Sequence, residues 1–331
     1  MSSSLRISGN YRVWGHGDFI HICFESPGCT FRKKGYCVMC DYGAGDRLTT
    51  PSAINALRSA ITKWKAPIRG LLLGTCGSIF DENEMLPETL FSLTKEIAST
   101  NIENIIFETH YSTVKPELLE TIQGVLPDKH ISIEMGFESS NPDVLKNSLN
   151  KYMDFEDLKT TVRLIKSHGM SVILNVFLGS PGLSEYEQLE DALNSLRWAY
   201  DNGADETVVF PANIKPNTLL WNKYQRGEYT AISSWLLVVL LSRLTDDELT
   251  KTSISWFGDR QYLGVDTDII SPKTCPECTD SLMGFYLSFM DDFDVGKRRL
   301  LLSRICAYDR CDCRSRIKQK LMEGRVEKCK F

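Results

Sequence analysis

The 331-residue sequence predicts an α/β fold: a partial (β/α)6 barrel followed by a smaller cysteine-rich C-terminal domain. Three observations lead there. Short apolar runs alternate with helical patterns over the first two thirds of the chain. That alternation stops near Leu220. The eleven cysteines gather at the two ends, with Cys76 alone in the long middle. Strands joined by crossover helices run parallel with right-handed connections, and such sheets build their sites at the C-terminal ends of the strands.

The strand-length runs are Phe19–Phe24, Gly70–Leu73, Asn104–Glu108, His130–Phe137, Ser171–Leu178 and Glu206–Pro211. Helical patterns fall between them at Ser52–Lys65, Pro87–Ser99, Lys115–Gly124, Phe155–His168 and Ser184–Asp201. The last has the clearest start, because Ser184 and Glu187 are spaced as a capping box. Leu189, Leu193, Leu196 and Trp198 then form its apolar stripe. Beyond it, Ser234–Arg243 reads as a buried helix and Trp256–Ser271 as a loop or short strand. The domain division is set near residue 230, giving 1–230 as the barrel and 231–331 as the cysteine-rich domain. No internal repeat or low-complexity segment is present.

Hydrophobic residues make up 42% of the chain and charged residues 24%, which calls for a packed core and excludes disorder. No apolar run reaches the roughly 18 residues of a membrane span. The start, Met-Ser-Ser-Ser-Leu-Arg-Ile, lacks the apolar stretch of a signal peptide, so a cytoplasmic location without membrane contact is expected. In that reducing compartment the cysteines are metal ligands sooner than disulfides. Net charge is −5, yet Gly296 to Phe331 holds twelve Lys or Arg against four Asp or Glu. The remainder is therefore strongly acidic, which argues against a broad nucleic-acid footprint. The basic tail reads as a solvated helix or as compensation for a nearby anionic cluster, with an RNA backbone as the less expected partner.

The first cysteine group is Cys29-x7-Cys37-x2-Cys40, directly after the first predicted strand. Soft thiolates at close spacing select zinc or an iron–sulfur cluster. Zinc usually takes four ligands and this loop offers three. Cys23 could be a fourth, but it sits in strand register and reads as a core residue. Three thiolates suffice for a four-iron cluster with one iron left open.

A three-cysteine loop after the first barrel strand resembles the radical SAM enzymes, over roughly residues 18–225. The long first gap is similar to the Elp3-like subgroup. Met39-Cys40-Asp41-Tyr42-Gly43, Gly77-Ser78-Ile79-Phe80-Asp81, Pro211-Ala212-Asn213 and the late cysteines resemble the archaeosine synthase radical SAM subunit group. That group includes a bacterial natural-product branch containing the albomycin thiofuranose-forming enzyme. The resemblance implies a [4Fe-4S] cluster on Cys29, Cys37 and Cys40, with S-adenosyl-L-methionine at the open iron. It also implies reductive cleavage of that cofactor to a 5′-deoxyadenosyl radical, fed by a reductant such as flavodoxin or ferredoxin. Gly74, Thr75 and Cys76 fall where the family contacts the methionyl amine. Glu138 and Ser139 fall where it reads ribose hydroxyls or the amine, with Glu134 facing the interior. Asn175 is expected to point inward. Met39 stands where the family favours an aromatic over the adenine, a role Tyr36 or Tyr42 could take.

The second group is Cys275-Pro-Glu-Cys278 with Cys306, Cys311 and Cys313. A CxxC pair clasps one corner of a metal site, and Cys311-Asp-Cys313 can complete it. Zinc and iron–sulfur sites share these ligands. The radical SAM context favours a second [4Fe-4S] cluster on Cys275, Cys278, Cys311 and Cys313, with zinc as the alternative and Cys306 as a substitute ligand. Cys329 is expected to be idle. The expected activity is modification of a nucleoside-like or other small metabolite, in its sharpest form sulfur insertion using the second cluster. An archaeosine-synthase-like C–N lyase acting on modified tRNA, and a non-catalytic metal-binding scaffold, are the alternatives.

Overall fold

The computed structural model describes residues 11–35, 37–41, 45–64, 66–255 and 269–328. Eight strands form one open, curled sheet in sequence order. They are β1 (Tyr11–His16), β2 (Phe19–Phe24), β3 (Gly70–Thr75), β4 (Asn104–Thr109), β5 (His130–Glu138), β6 (Ser171–Leu178), β7 (Glu206–Pro211) and β8 (Thr252–Ile254). From β2 to β8 every neighbouring pair is parallel. This is the half-barrel of the radical SAM fold, with β2 to β7 at the expected places and two strands added at its edges.

Both additions have a local cause. β1 returns antiparallel onto β2 through Gly17-Asp18, in register from Tyr11↔Phe24 to His16↔Phe19. Gly17 takes a φ of 57°, which glycine reaches without a Cβ clash. Tyr11 and Val13 are buried while Arg12 is exposed, so the period of two was present in the sequence. β8 has only three residues, too few for periodicity to mark.

Twelve helices lie among the described residues. They are α1 (Thr30–Lys33), α2 (Thr50–Lys63), α3 (Pro87–Ala98), α4 (Pro116–Val125), α5 (Phe155–Ser167), α6 (Glu185–Asp201), α7 (Leu219–Gln225), α8 (Ser234–Ser242), α9 (Asp246–Lys251), α10 (Pro276–Asp291), α11 (Val295–Cys306) and α12 (Cys313–Lys328). Proline occupies the first turn of α2, α3 and α4, where its missing N–H costs nothing. The Ser184–Glu187 capping box is formed. Below it Leu189, Leu193 and Leu196 are buried, each worth about 1.5–3 kcal/mol. Trp198 stacks on Phe137 of β5 with ring centroids 4.8 Å apart. α8 is buried on almost every side, as its sequence implied.

Elements on both sides of residue 230 pack together. β8 extends the barrel sheet, and α12 lies against α6 with Lys320 Nζ 2.8 Å from Glu185 Oε1. Arg298, read in sequence as part of a basic tail, is instead fully buried. Its guanidinium donates to the carbonyls of Leu249, Thr252, Phe289 and Asp292 and lies 4.1 Å from the Phe289 and Phe293 ring centroids. A buried cation whose three nitrogens each donate to a carbonyl ties α11 to α9, α10 and β8. The expected loop or strand at 256–271 lies mostly outside the described residues, as do Tyr36, Tyr42 and Cys329.

Candidate active site

Chain geometry shapes the first cysteine loop. Cys29 follows β2 and caps α1, after Gly28 turns the chain at a φ of 89°. Cys37 itself takes a φ of 61°, a left-handed conformation that non-glycine residues adopt at some cost. Tertiary hydrogen bonds hold it there. The N–H groups of Cys37 and Val38 donate to the carbonyls of Asn150 and Leu149, both at 2.9 Å. The Asn150 side-chain amide returns a bond of 2.9 Å to the Gly35 carbonyl. Cys40 N–H closes a tight turn onto the Cys37 carbonyl at 3.0 Å. The three cysteines line one cavity with the C-terminal ends of β4 to β7, as the position of the loop requires.

A buried carboxylate under this loop escaped the sequence reading. Glu84 is 1% exposed. It accepts from Ser26 Oγ at 2.7 Å, Thr75 Oγ1 at 2.9 Å and Ser78 N–H at 2.9 Å. Burial pushes its pKa up against these three donors. Ser26 lies three residues before Cys29, so Glu84 joins the cysteine loop to the turn after β3. Gly77 completes the junction, since a Cβ there would stand 2.6 Å from the Cys29 Cβ and 2.5 Å from Glu84 Oε1. No local pattern marks Glu84. The nearest hint was a charged residue within an otherwise apolar-ended βα connection.

Charged groups face the cavity in pairs. Glu138 follows a bulge between Gly136 and Glu138 and takes a φ of 72°. Its Oε1 lies 3.0 Å from Lys151 Nζ, which also donates to the Gly136 carbonyl at 2.9 Å. Burial works against the Lys151 charge, but Glu138, with Cys37 and Cys40, more than restores it and the pKa is raised. Lys215 Nζ lies 3.0 Å from Asp41 Oδ1, next to Cys40 in sequence. Deeper in the barrel, burial and then the Glu134 charge push Glu108 up to about 8. Burial likewise pushes Glu134 up to about 7. His21 Nε2 is 3.7 Å from Glu108 Oε2.

Two uncharged groups on the wall are left for a ligand. His110 Nδ1 lies 2.8 Å from Ser112 Oγ and 3.3 Å from the Ser112 N–H, an arrangement that suits Nδ1 as the acceptor and the proton on Nε2. Burial pulls the His110 pKa down to about 3, which keeps the ring neutral. Its Nε2 is buried and has no partner among the described residues, and neither has Asn175 Oδ1. A donor and an acceptor, both buried and both on the cavity wall, suit a polar ligand. They add to Lys151, Lys215 and the carboxylates as contacts for an amino acid moiety and hydroxyls.

The structure sorts the residues expected here. Glu138 and Asn175 line the cavity, together with the three early cysteines. Glu134 is buried inside the barrel. Gly74 leaves room for Glu108, whose Oε2 a Cβ would approach to 2.7 Å. Thr75 is spent on Glu84. Cys76 Sγ donates to the Phe24 carbonyl at 3.9 Å, alongside Cys23. Ser139 is fully buried and donates to Asp191 Oδ1 at 2.8 Å. Of the turn after β3, the residue that reaches the cavity is Gly77. Lys151 and Lys215 were not selected from sequence for the site. Lys151 and Lys215 lie outside the regular strands, where periodicity says nothing about direction.

Cys275, Cys278, Cys311 and Cys313 form one compact group with all four Sγ atoms within 4.8 Å of one another. Cys275 caps α10 and Cys278 is fully buried in its first turn. Cys306 is not in the group. None of the four lines the cavity. Four thiolates are a donor set compatible with a second iron–sulfur cluster and with zinc. Three thiolates on an open cavity fit the cluster with a free iron, and the unpaired donor and acceptor nearby fit S-adenosylmethionine.

No family model matches the chain. Over 226 residues it is 26% identical to the archaeosine synthase subunit beta of Methanosarcina acetivorans, covering 66% of this chain and 65% of that protein. It is 27% identical over 233 residues to the Thermococcus kodakarensis archaeosine synthase subunit beta, covering 68% and 71%. The chain thus matches about two thirds of the length of these relatives. Among solved structures, methylornithine synthase superposes with a TM-score of 0.51 at 15% identity, covering 72% of this chain and 64% of that one. Elp3 of Methanocaldococcus infernus gives 0.50 at 14% identity, covering 82% and 63%. Fold and sequence therefore both resemble the radical SAM group that contains Elp3 and the archaeosine synthase subunit.

Proposed function

We propose that this chain is a radical SAM enzyme acting on a nucleoside-like or other small metabolite. The observation that carries the proposal is one cavity lined by Cys29, Cys37 and Cys40 together with Glu138, His110 and Asn175. Bound there, the [4Fe-4S] cluster and S-adenosylmethionine supply a 5′-deoxyadenosyl radical once a reductant of the flavodoxin or ferredoxin kind delivers an electron. The protein's share is placement. The left-handed Cys37 and the tie to Asn150 hold the thiolates, and Glu84 fixes the loop beneath Cys29. Glu138 and Lys151 present a paired charge to the amino and carboxylate groups of the cofactor. His110 offers a proton at Nε2, and Asn175 offers Oδ1 as an acceptor. Phe177 and Phe210 keep one wall apolar, which excludes water from a radical.

The test is anaerobic reconstitution followed by measurement of 5′-deoxyadenosine. Replacing Cys29, Cys37 and Cys40 with alanine should abolish its formation. Undiminished formation would remove the proposal, and absence of formation in the parent protein would leave the metal-binding scaffold. The similarity to two archaeosine synthase beta subunits favours a second reading, a C–N lyase acting on modified tRNA. An electrophoretic shift with tRNA separates it from the small-metabolite reading. Sulfur insertion is the version of the first reading that needs iron and sulfide at the late cysteines.

A further inference from the structure

We infer that Cys275, Cys278, Cys311 and Cys313 hold a single tetrahedral zinc ion that staples the C-terminal helices, and not a four-iron cluster. The inference goes beyond the radical chemistry above and does not rest on it. Its carrier is the spacing of the sulfurs. All four Sγ atoms lie within 4.8 Å of one another, and those of Cys275 and Cys278 are 3.4 Å apart. Zinc–sulfur bonds of about 2.3 Å at tetrahedral angles place thiolates about 3.8 Å apart. A four-iron cluster gives each thiolate its own iron, which spreads the sulfurs to about 6 Å. The group is therefore sized for one ion. Cys29, Cys37 and Cys40 are not drawn together this far: among the described residues the late four are the compact set.

The surroundings agree with a closed, structural site. Four protein sulfurs complete the coordination of zinc and leave no position for a substrate. Three donors lie against the sulfurs of Cys278 and Cys313, as an anionic tetrathiolate requires, while the Glu277 carboxylate stands beside Cys275 and would have to turn away when the ion binds. Thr274 Oγ1 is 2.9 Å from Cys278 Sγ, and Arg316 donates to Cys313 Sγ at 3.2 Å. The Trp235 indole N–H is buried beside Cys278 and has no other partner among the described residues. Mechanically the ion would fasten the start of α10 to the start of α12. α12 in turn reaches α6 through Lys320 and through Gly324, where a Cβ would stand 2.8 Å from that of Tyr186. None of the four is on the cavity wall, which fits a site that holds the frame.

Elemental analysis of the full chain, reconstituted anaerobically with iron and sulfide and then dialysed against a chelator, tests this. The expected content is about four irons and about one zinc per chain. Cobalt supplied in place of zinc should give the ligand-field bands of a tetrahedral tetrathiolate. A Cys311→Ser, Cys313→Ser double variant should lose the zinc and the cobalt bands while keeping its iron. About eight irons without zinc, loss of half the iron in the variant, or no metal at all at the late site would each overturn the inference. Should the variant precipitate, the metal count and cobalt spectrum of the parent protein decide. The radical proposal fails on a different readout, 5′-deoxyadenosine from the early triple variant.

Discussion

Glu84 offers the sharpest test of how the site is held. Replacing it with alanine removes a buried acceptor and leaves Ser26 Oγ, Thr75 Oγ1 and the Ser78 N–H without their partner. Hydrogen bonds to a charged group contribute about 1.5–3 kcal/mol each, and they do not add fully when they share one acceptor. A cost of about 3–5 kcal/mol follows for Glu84→Ala, a large part of the 5–15 kcal/mol typical of a folded domain. Glu84→Gln has the same shape and behaves differently. Its carbonyl can accept from Ser78, and its amide can donate to the two hydroxyls once they rotate. Ser26 Oγ already accepts from the Gly28 N–H at 3.2 Å and has a second lone pair to offer. A cost of about 1 kcal/mol is expected for glutamine. Guanidinium unfolding of both variants measures the difference, and absorbance of the reconstituted protein measures cluster loading. Because Ser26 leads into Cys29, the alanine variant should also load less iron at the early site. An alanine variant within about 1 kcal/mol of the parent, with full iron loading, would refute this account of the loop.

Other expected outcomes are as direct. Glu138→Gln strands the buried Lys151 charge, so stability should drop by about 3–5 kcal/mol and S-adenosylmethionine binding should weaken while cluster absorbance persists; unchanged binding in calorimetry would remove Glu138 from the cofactor pocket. Glu108 holds its proton up to about 8 in the folded state against an ordinary 4.5, so the folded protein binds more protons between those values and stability should fall as pH rises through that window. The slope is at most about 1.4 kcal/mol per pH unit, and Glu108→Gln should flatten it; a variant with the parental pH profile would contradict the burial argument. His110→Phe keeps the ring contacts with Phe31 at 4.6 Å and Tyr111 at 4.5 Å but removes both the Nε2 proton and the Nδ1 acceptor of Ser112, so it should cost about 1 kcal/mol of stability and bind cofactor or substrate more weakly; unaltered binding in a folded variant would mean that Nε2 faces no ligand.

Much of the fold was legible because parallel strands buried on both faces announce themselves. β6 runs Ser-Val-Ile-Leu-Asn-Val-Phe-Leu, and the polar residue in its interior, Asn175, reaches the cavity together with Phe177. Capping pairs such as Ser184 and Glu187 fixed helix starts in the same way. Local spacing also pointed to both cysteine groups, one lining the cavity and one compact, since residues held by a turn lie close in sequence. What stayed hidden was non-local. Glu84, Lys151, Lys215 and Arg298 are charged residues in connections or in a basic tail, and their ordinary reading is solvent exposure. Each is buried because partners from other elements complete it: Ser26 for Glu84, the Leu249 and Thr252 carbonyls for Arg298, and Glu138 and Asp41, 13 and 174 residues away, for Lys151 and Lys215. Ser139 has a non-local partner of the same kind. It stands at the right strand end, but the backbone turn at Glu138 sends its hydroxyl to Asp191 on α6.

The two cysteine groups differ in the way that decides their roles. The early three sit on a loop whose backbone is committed to Asn150, Leu149 and Leu220, so their sulfurs are left to face a cavity that other strands furnish with charge and unpaired polar atoms. A metal centre there has room for a ligand beyond its cysteines. The late four are drawn together at the start of two helices, with their nearest donors turned toward sulfur. A centre there is full once the cysteines have bound. Openness at one site and closure at the other follow from which backbone groups are already paired. On the two proposals above, the chemistry belongs to the barrel, while the C-terminal helices contact its α6 and β8 side through Lys320 and Arg298.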